Sequence, residues 1–320
     1  MSQCEVPAPI YIFRGHNSQV NTLCWLDGDK YFCSGDLEGN MILWDVETRR
    51  PKQQWRAHTE SVLSIQAIDA TTLVSQGRDN RIHTWKLETL TSSSPTPHST
   101  LLYNSVTFCK VALCSHDDHT LIAVPSHMDP GLIDIYDLFS QWRQVADIGQ
   151  EEIVTADSRD TAMCLSMFER GTHVHLLAGY ESGRLVLRII SGDKTDTIWA
   201  TQAHTAPVLS ASVLSDLVFS GCSDGLIVRS KLDDPTDHPI TNQSKRGLEQ
   251  ICIRSDAKII ATAGWDSRIR IFSAKTLKPL AVLTYHRESV YSVAFCALPS
   301  ARHYLVGASK DHRISLWEIY

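Results

Sequence analysis

The sequence predicts an all-β fold in which the whole chain, residues 1–320, forms a single propeller of seven blades. Three observations predict it. A phrase with a tight turn between two strand-like runs recurs seven times, with a period a little above about 40 residues. Short apolar runs with few charges, such as VNTLCW, VLSIQAI, VLSASVL and VYSVAF, form a second repeating feature. An extra strand-like run, PIYIFR, stands at the N-terminal end, and the last blade lacks an outer strand.

The recurring phrase places an acidic residue in its turn and, in most copies, an aromatic residue six positions later. Its copies are SGDLEGNMILWD (34–45), SQGRDNRIHTWK (75–86), VPSHMDPGLIDIYD (124–137), AGYESGRLVLRI (178–189), SGCSDGLIVRSK (220–231), TAGWDSRIRIFS (262–273) and GASKDHRISLWE (307–318). A histidine precedes four of them: His16, His58, His204 and His286. This combination is the signature of a WD repeat, so the predicted fold is a seven-bladed WD40 β-propeller.

The blade boundaries follow from this register. The blades cover approximately residues 17–56, 60–104, 105–155, 160–203, 206–244, 248–285 and 288–320, and a closing strand covers 9–14. We expect the N-terminal strand to pair with the last blade. This pairing closes the ring and removes its open sheet edges.

The histidine, a strand hydroxyl, the turn aspartate and the aromatic residue form a predicted structural tetrad in each well-preserved blade. The aspartate accepts a hydrogen bond from the histidine, and the hydroxyl links the histidine to the indole N–H. The predicted sets are His58, Ser75, Asp79 and Trp85 in blade 2; His16, Ser34, Glu38 and Trp44 in blade 1; and His286, Asp311 and Trp317 in blade 7. Blade 1 thus has glutamate in the aspartate position, and blade 7 has Gly307 in the hydroxyl position.

A Ser-His-Asp set also suggests catalysis, but here it recurs with the repeat and serves the architecture. Blade 5 keeps His204, Ser220 and Asp224 but has Ser230 in the aromatic position. Asp266, in the turn of blade 6, is likewise interpreted as part of the scaffold.

The residue before the turn aspartate varies between blades and is expected to point outward, on the face that carries these turns. Residues at the start of each innermost strand add to the same face. The candidate partner-binding residues are Glu60, Arg78, Trp265, Glu288, Tyr291 and Lys310. Tryptophan and arginine are enriched at the energetic centres of protein interfaces. The alternative for Trp265 is that its ring lies flat against the neighbouring loop.

Composition excludes several classes of function. A net charge of -6 disfavours binding to nucleic acid, and no run of 18 apolar residues predicts a membrane span. Nine scattered cysteines without a CxxC pair indicate reduced thiols, in the cytoplasm or nucleus. Either of the pairs His116/His119 and His173/His175 could ligate zinc, but neither has a matching Cys or His pair at a recognisable spacing, so solvated surface histidines are expected. No phosphate loop, nucleophile elbow or HExxH motif occurs, so neither a cofactor, a metal nor an enzymatic activity is predicted.

Several stretches resemble one WD-repeat family more specifically. They are LVSQGRDNRIHTW (73–85), LLAGYESGRLVL (176–187), IIATAGWDSRIRIFSAKTLKPLAVLTYH (259–286) and GASKDHRISLWEIY (307–320). They resemble the G-protein β-subunit-like proteins, whose fungal relatives are called ASTRA-associated. The likeness spans the chain and is strongest in the last two blades.

This resemblance implies a noncatalytic adaptor that works with the co-chaperone complex maturing phosphatidylinositol-3-kinase-related kinases. It also implies a link to chromatin-remodelling assemblies. No G-protein γ chain is expected as a partner, because only about eight residues precede the first strand, too few for a coiled coil. Two alternatives stay open. One is a substrate receptor of a cullin-type ubiquitin ligase, although WDVE (44–47) and WKLE (85–88) differ from the Trp-Asp-x-Arg pattern of such receptors. The other is a propeller hydrolase with a site in the central channel.

Overall fold

The computed structural model describes residues 7–28, 30–90, 95–103, 107–149, 160–235, 240–242, 247–296 and 303–319. Within these ranges the chain forms seven four-stranded antiparallel sheets. Each sheet is one blade, with strand a nearest the axis and strand d outermost. The prediction of a seven-bladed all-β propeller is confirmed.

The first three blades follow the closing strand β1 (Tyr11–Arg14). Blade 1 contains β2 (Val20–Leu26), β3 (Tyr31–Asp36), β4 (Asn40–Asp45) and β5 (Arg50–Arg56). Blade 2 contains β6 (Val62–Ala67), β7 (Thr72–Gly77), β8 (Arg81–Lys86), the short helix α1 (Leu87–Leu90) and β9 (Ser99–Leu102). Blade 3 contains β10 (Ala112–His116), β11 (His119–Pro125), β12 (Ile133–Asp137) and β13 (Arg143–Ile148).

The remaining four blades repeat the arrangement. Blade 4 contains β14 (Ala162–Arg170), β15 (His173–Tyr180), β16 (Arg184–Ser191) and β17 (Lys194–Gln202). Blade 5 contains β18 (Val208–Leu214), β19 (Leu217–Cys222), β20 (Leu226–Lys231) and β21 (Ile240–Asn242). Blade 6 contains β22 (Leu248–Ile253), β23 (Ile259–Gly264), β24 (Ile269–Ser273) and β25 (Pro279–Leu283). Blade 7 contains β26 (Val290–Phe295), β27 (Tyr304–Ser309) and β28 (Arg313–Glu318).

Strand β1 supplies the fourth strand of blade 7. It pairs antiparallel with β28 from Tyr11↔Leu316 to Arg14↔Arg313. Phe13 is 1% exposed and lies between the two ends of the ring, with its ring centre 4.9 Å from that of Phe32 and 5.2 Å from that of Trp44. The predicted closure by the N-terminal strand is therefore confirmed.

Burial within a blade explains the apolar pattern. Every residue of the b strands β3, β7 and β23 is buried, because neighbouring blades cover both faces. The d strands β5 and β17 are largely exposed. The core is thus a series of layers between blades, and small residues fill the closest approaches. A Cβ on Gly307 would collide with Ile269 of the preceding blade.

A β-bulge shapes strand a in six blades. The register with strand b shifts between Val20/Thr22, Val62/Ser64, Ala162/Cys164, Val208/Ser210, Leu248/Gln250 and Val290/Ser292. A bulge re-aims the residues that follow it. Thr22 Oγ1 thereby accepts a hydrogen bond from the Ile65 N–H of the next blade, at 3.0 Å, and Ser292 Oγ accepts one from Leu23 N–H, at 3.2 Å.

The same link recurs elsewhere in the ring. Ser210 Oγ accepts from Ile251 N–H and Gln250 Oε1 accepts from Val293 N–H, both at 3.0 Å. Polar side chains on one blade thus satisfy backbone donors of the next, which fixes the spacing of the blades around the channel. No helix in the described ranges is long and apolar enough to cross a membrane.

Candidate protein-interaction site at the channel mouth

Blade 2 contains the tetrad in the predicted arrangement. His58 Nδ1 lies 2.9 Å from Asp79 Oδ1, and His58 Nε2 lies 2.8 Å from Ser75 Oγ. Trp85 Nε1 donates to the same hydroxyl at 2.9 Å. Burial opposes the ionisation of Asp79, but the Thr59 N–H and His58 outweigh it and lower the pKa of the carboxyl. His58 is 2% exposed and Ser75 is fully buried, and the hydroxyl also accepts the Trp85 indole N–H, so the set is covered by its own blade rather than open to a substrate.

Blade 1 corrects the sequence-based assignment of Glu38. The carboxylate that meets His16 Nδ1 belongs to Asp36, whose Oδ2 lies 2.8 Å away, whereas Glu38 is exposed. Asp36 stands at the end of β3 and is 1% exposed. Its Oδ1 also accepts the backbone N–H groups of Glu38 and Asn40, at 3.0 and 2.9 Å. The Asp36 carboxylate thus accepts hydrogen bonds from both the tetrad histidine and the turn backbone. Glu38 takes no part in the tetrad.

Blade 7 has a complete tetrad despite Gly307. The hydroxyl comes from Ser315 on strand c, which pairs directly with Gly307 on strand b. Ser315 Oγ lies 2.8 Å from His286 Nε2 and accepts the Trp317 indole N–H at 2.8 Å. His286 Nδ1 lies 3.0 Å from Asp311 Oδ2. The hydroxyl of this tetrad therefore comes from strand c instead of strand b. Gly307, at the position on strand b, leaves room for the side chain of Ile269 of blade 6.

Blades 5 and 6 use other pairings. His204 Nε2 lies 2.8 Å from Ser220 Oγ, whereas Asp224 accepts from the Cys222 thiol. In blade 6, Asp266 forms a two-point ion pair with Arg270, at 3.0 and 2.6 Å. The turn aspartate of TAGWD is thus tied to the next strand as part of the scaffold.

One histidine cluster has the composition of a metal site. The ligand atoms of His58, Asp79 and His83 lie within 4.8 Å of one another. However, Asp79 and Ser75 already occupy His58, and His83 Nδ1 lies 2.8 Å from Thr100 Oγ1. The cluster therefore has a single ring nitrogen left to offer, far fewer than the three or four ligands of a zinc site.

The predicted surface histidines face acidic side chains or aromatic rings. His116 Nδ1 lies 3.1 Å from Glu169 Oε1, and His119 Nδ1 lies 2.7 Å from Asp137 Oδ2. The His175 ring stacks on Phe168. His116 and His119 are cross-strand partners, and His175 is buried, at 6% exposure, rather than solvated as expected.

The candidate partner-binding residues share one end of the propeller, which we call the top face. It consists of the turns between strands b and c and the starts of the a strands. The two parts are joined in six of the seven blades by a backbone hydrogen bond, as from Arg78 N–H to Ser61, from Trp265 N–H to Gly247 and from Lys310 N–H to Ser289. Glu60, Arg78, Glu288 and Lys310 are exposed on this face, and Trp265 and Tyr291 are half-buried.

Trp265 is anchored to its own blade. Its indole N–H donates to Glu249 Oε2 at 3.0 Å, and its ring lies over Gly247, where a Cβ would come within 2.8 Å. The ring therefore packs against the loop that precedes β22, and the side chain is half-buried. Tyr291 lies beside Glu249 and Glu288; burial and these two charges raise the pKa of its phenol.

The bulged residues of strand a form a second set, of which the sequence predicts only Tyr291. In six blades the extra residue faces the upper end of the channel, and blade 3 contributes Phe108 and Lys110 instead. We call this set the mouth ring: Asn21, Leu63, Phe108, Lys110, Met163, Leu209, Glu249 and Tyr291. In the sequence, each bulged residue is the middle one of a triplet at the start of strand a: VNT, VLS, AMC, VLS, LEQ and VYS. Strict two-residue alternation does not predict that this middle residue faces the channel.

Two connected cavities lie within the mouth ring. The upper cavity has a volume of about 210 Å³ and the channel below it about 290 Å³, and they share Phe108, Lys110 and Glu249. Within the described chain, Arg78, Lys110 and Glu249 are the only charged residues that line them, and no histidine does. Burial raises the pKa of the channel thiol Cys164 to about 12, so it stays protonated. The lining thus combines two cations and one carboxylate with apolar side chains, a set that can contact a peptide by charge and by packing.

Comparisons with known proteins agree with the architecture. The family model for the WD domain, G-beta repeat, matches residues 7–45 and 277–318, which contain the ring closure. ASTRA-associated protein 1 of Schizosaccharomyces pombe is 33% identical, with 98% of this chain and 100% of that protein aligned. The Verticillium alfalfae protein of the same name is 31% identical, covering 99% and 94%. The Mus musculus guanine nucleotide-binding protein subunit beta-like protein 1 is 33% identical, covering 98% and 97%.

The propeller and these relatives support a protein-interaction scaffold or adaptor rather than a catalyst. In each of these alignments, an identity above 30% extends over nearly the full length of this chain and of the relative. The chain belongs to the WD-repeat family of ASTRA-associated protein 1 and guanine nucleotide-binding protein subunit beta-like protein 1.

Proposed function

We propose that the chain is a noncatalytic adaptor of the multi-subunit co-chaperone complex that assembles and stabilises phosphatidylinositol-3-kinase-related kinases. It works in the cytoplasm and nucleus and has a link to chromatin-remodelling assemblies. The observation that carries this proposal is the full-length match to the ASTRA-associated proteins, at 33% identity over 98% of the chain. The name of those relatives, ASTRA-associated protein 1, describes association with another assembly, and an adaptor is the role that fits it.

The top face is the proposed partner surface. It combines exposed charges of both signs, at Glu60, Arg78, Glu288 and Lys310, with the accessible edges of Trp265 and Tyr291. Mixed charge with aromatic side chains is typical of surfaces that bind proteins, whereas nucleic-acid surfaces are uniformly basic. The tetrads beneath it hold its turns in place.

Affinity purification from cell extract at moderate salt, followed by mass spectrometry, tests the proposal. Wild type is compared with Trp265→Ala and Lys310→Glu, and Trp142→Ala is the control. Trp142 is 73% exposed and lies in the turn between β12 and β13, at the opposite end of blade 3. We expect large kinases and their co-chaperones with wild type and the control, and reduced amounts with the two top-face variants.

Thermal unfolding of each purified variant checks that its fold is intact. Cullin adaptors or G-protein subunits as the main partners would show that the co-chaperone assignment is wrong. Unchanged capture by well-folded Trp265→Ala and Lys310→Glu proteins would show that the partner binds another surface.

A further inference from the structure

The mouth ring has an uneven charge distribution. On one side, the guanidinium carbon of Arg78 lies 4.1 Å from the ring centre of Phe108, and Lys110 lines the same cavity. Phe108 is 66% exposed, which is unusual for a large apolar side chain. Among the residues that the structure describes, neither cation forms an ion pair with a carboxylate. A guanidinium stacked on a ring keeps its N–H edge available for a carboxylate.

The opposite side of the mouth ring contains Glu249 and Tyr291, and neither side chain offers a cation to a partner's carboxylate. Glu249 already accepts the Trp265 indole N–H. Tyr291 keeps its phenolic proton at neutral pH, because burial and the neighbouring carboxylates raise its pKa. It can therefore donate a hydrogen bond to an acceptor in the mouth. Among the residues that line the two cavities, the cations Arg78 and Lys110 outnumber the single carboxylate, Glu249, although the chain as a whole is acidic.

Apolar side chains complete the ring between these two sides. Leu63 precedes Phe108 around the ring, and Met163 and Leu209 follow it at the channel below. Leu37, 48% exposed, also lines the upper cavity. The channel below is lined by uncharged hydroxyl and amide side chains such as Ser64, Gln66, Ser212 and Gln250. A volume of about 210 Å³ accommodates side chains of an extended segment but not a folded domain.

We propose that the mouth binds an extended segment of a protein partner that carries one carboxylate next to a bulky apolar residue. The carboxylate lies between Arg78 and Lys110, and the apolar side chain packs on Phe108 and Leu63. Exposed Glu60 and Glu288 stand around the mouth, so they repel a run of acidic residues or a nucleic-acid backbone. The segment is thus an isolated acidic–apolar motif, which matches the mouth in charge and in packing.

The inference deepens the proposed adaptor role and rests on it for the class of partner. Its test uses the purified full-length chain and peptides alone. Its failure would leave the co-chaperone assignment standing, and a failure of the extract experiment would leave the peptide result standing.

The first step selects phage-displayed random 12-residue peptides on immobilised protein. The best peptide is then synthesised with a fluorescent label, and its Kd is measured by fluorescence anisotropy. We expect enrichment of Asp or Glu next to a bulky apolar residue. Phe108→Ala and Lys110→Glu should each weaken binding about tenfold or more, because they remove the stacking surface and one cation. Replacing the peptide carboxylate by its amide should weaken binding comparably.

Trp142→Ala is the matched control, since it also removes an exposed aromatic ring and should change Kd less than about twofold. Phe108 is exposed as well, so both alanine variants should fold, which circular dichroism checks. Three outcomes would overturn the proposal: no peptide is enriched, the enriched peptides lack a carboxylate, or Lys110→Glu binds them as wild type does. Tighter binding of a fluorescent single-stranded oligonucleotide than of any selected peptide would also overturn it.

Discussion

The carboxylate of Asp36 holds together the histidine and the turn of blade 1. It accepts from His16 and from two backbone N–H groups, and it is almost fully buried. Asp36→Ala leaves these donors without their acceptor, so it should lower the free energy of unfolding by about 1–3 kcal/mol. Glu38→Ala should change it by less than about 0.5 kcal/mol, because this side chain is exposed. Urea denaturation of both variants measures the difference, and equal effects would contradict the assignment of Asp36.

Ser315 plays the corresponding part in blade 7. Its hydroxyl binds both His286 and Trp317, so Ser315→Ala should cost about 1–3 kcal/mol of unfolding free energy. Adding Gly307→Ser restores a hydroxyl where the sequence alignment places one. It should lower stability further, because its Cβ collides with Ile269. Thermal and urea denaturation of the single and double variants measure this, and recovery of stability in the double variant would contradict the structure.

These two blades show why spacing alone predicts tetrads incompletely. The repeat register correctly indicated which histidine and which tryptophan face each other. It could not show that the end of β3 brings Asp36 closer to His16 than Glu38, or that Ser315 faces His286 across a strand pair. Both depend on the path of the backbone in three dimensions, and a linear alignment does not contain it.

Strand β1 determines whether the ring closes. Phe13 packs on Phe32 and Trp44 of blade 1 while its strand pairs with β28 of blade 7, so one side chain joins the two ends of the ring. Phe13→Ala should therefore lower the free energy of unfolding by about 3–5 kcal/mol. Ile10→Ala is the control, because Ile10 is 39% exposed and precedes the strand. Urea denaturation compares the two, and similar small losses would show that closure contributes little to stability.

The a strands show a different limit of sequence reasoning. Their existence and approximate starts follow from apolar runs after the histidines. The bulge adds one residue, which shifts the face of every side chain before it. Glu249 therefore faces the mouth beside Trp265, a contact that two-residue alternation does not predict. The sequence predicts Tyr291 as a surface residue, but only the structure shows that it is one of six bulged residues around the channel.

The propeller was predictable because its information is repeated along the chain. Seven copies of one phrase predict the same blade seven times. A wrong tetrad assignment at Glu38 or Gly307 therefore does not change the predicted fold. The mouth is encoded once, by residues that differ between blades. Phe108 and Lys110 precede β10 in blade 3, which lacks the upstream histidine, so no repeat pointed to them. Periodicity thus specifies the scaffold, whereas the residues of the proposed binding site lie where the repeats differ.

Two buried histidines of blade 2, His58 and His83, make the stability of the propeller depend on pH. Burial lowers the pKa of His58, opposed by Asp79, and lowers the pKa of His83 to about 4, helped by nearby His58. The unfolded chain therefore takes up protons on these imidazoles at higher pH than the folded chain does. Stability should decrease as pH falls through the unfolded value near 6.5 towards 4. The pKa values of Asp36, Asp79 and Asp311 are lowered, so their contribution is lost at still lower pH.

Urea denaturation at several pH values between about 7 and 4.5 measures this dependence. His83→Asn keeps a polar group opposite Thr100 but removes the imidazole, so its unfolding free energy should fall less steeply over this range than that of wild type. His98→Asn, which removes an exposed imidazole, should follow wild type. If His83→Asn and wild type lost stability in parallel, the buried imidazole beside His58 would not be the group that couples folding to protons. If wild type kept its full stability down to pH of about 4.5, the pKa values of His58 and His83 would be the same in the folded and the unfolded chain, which would contradict the prediction.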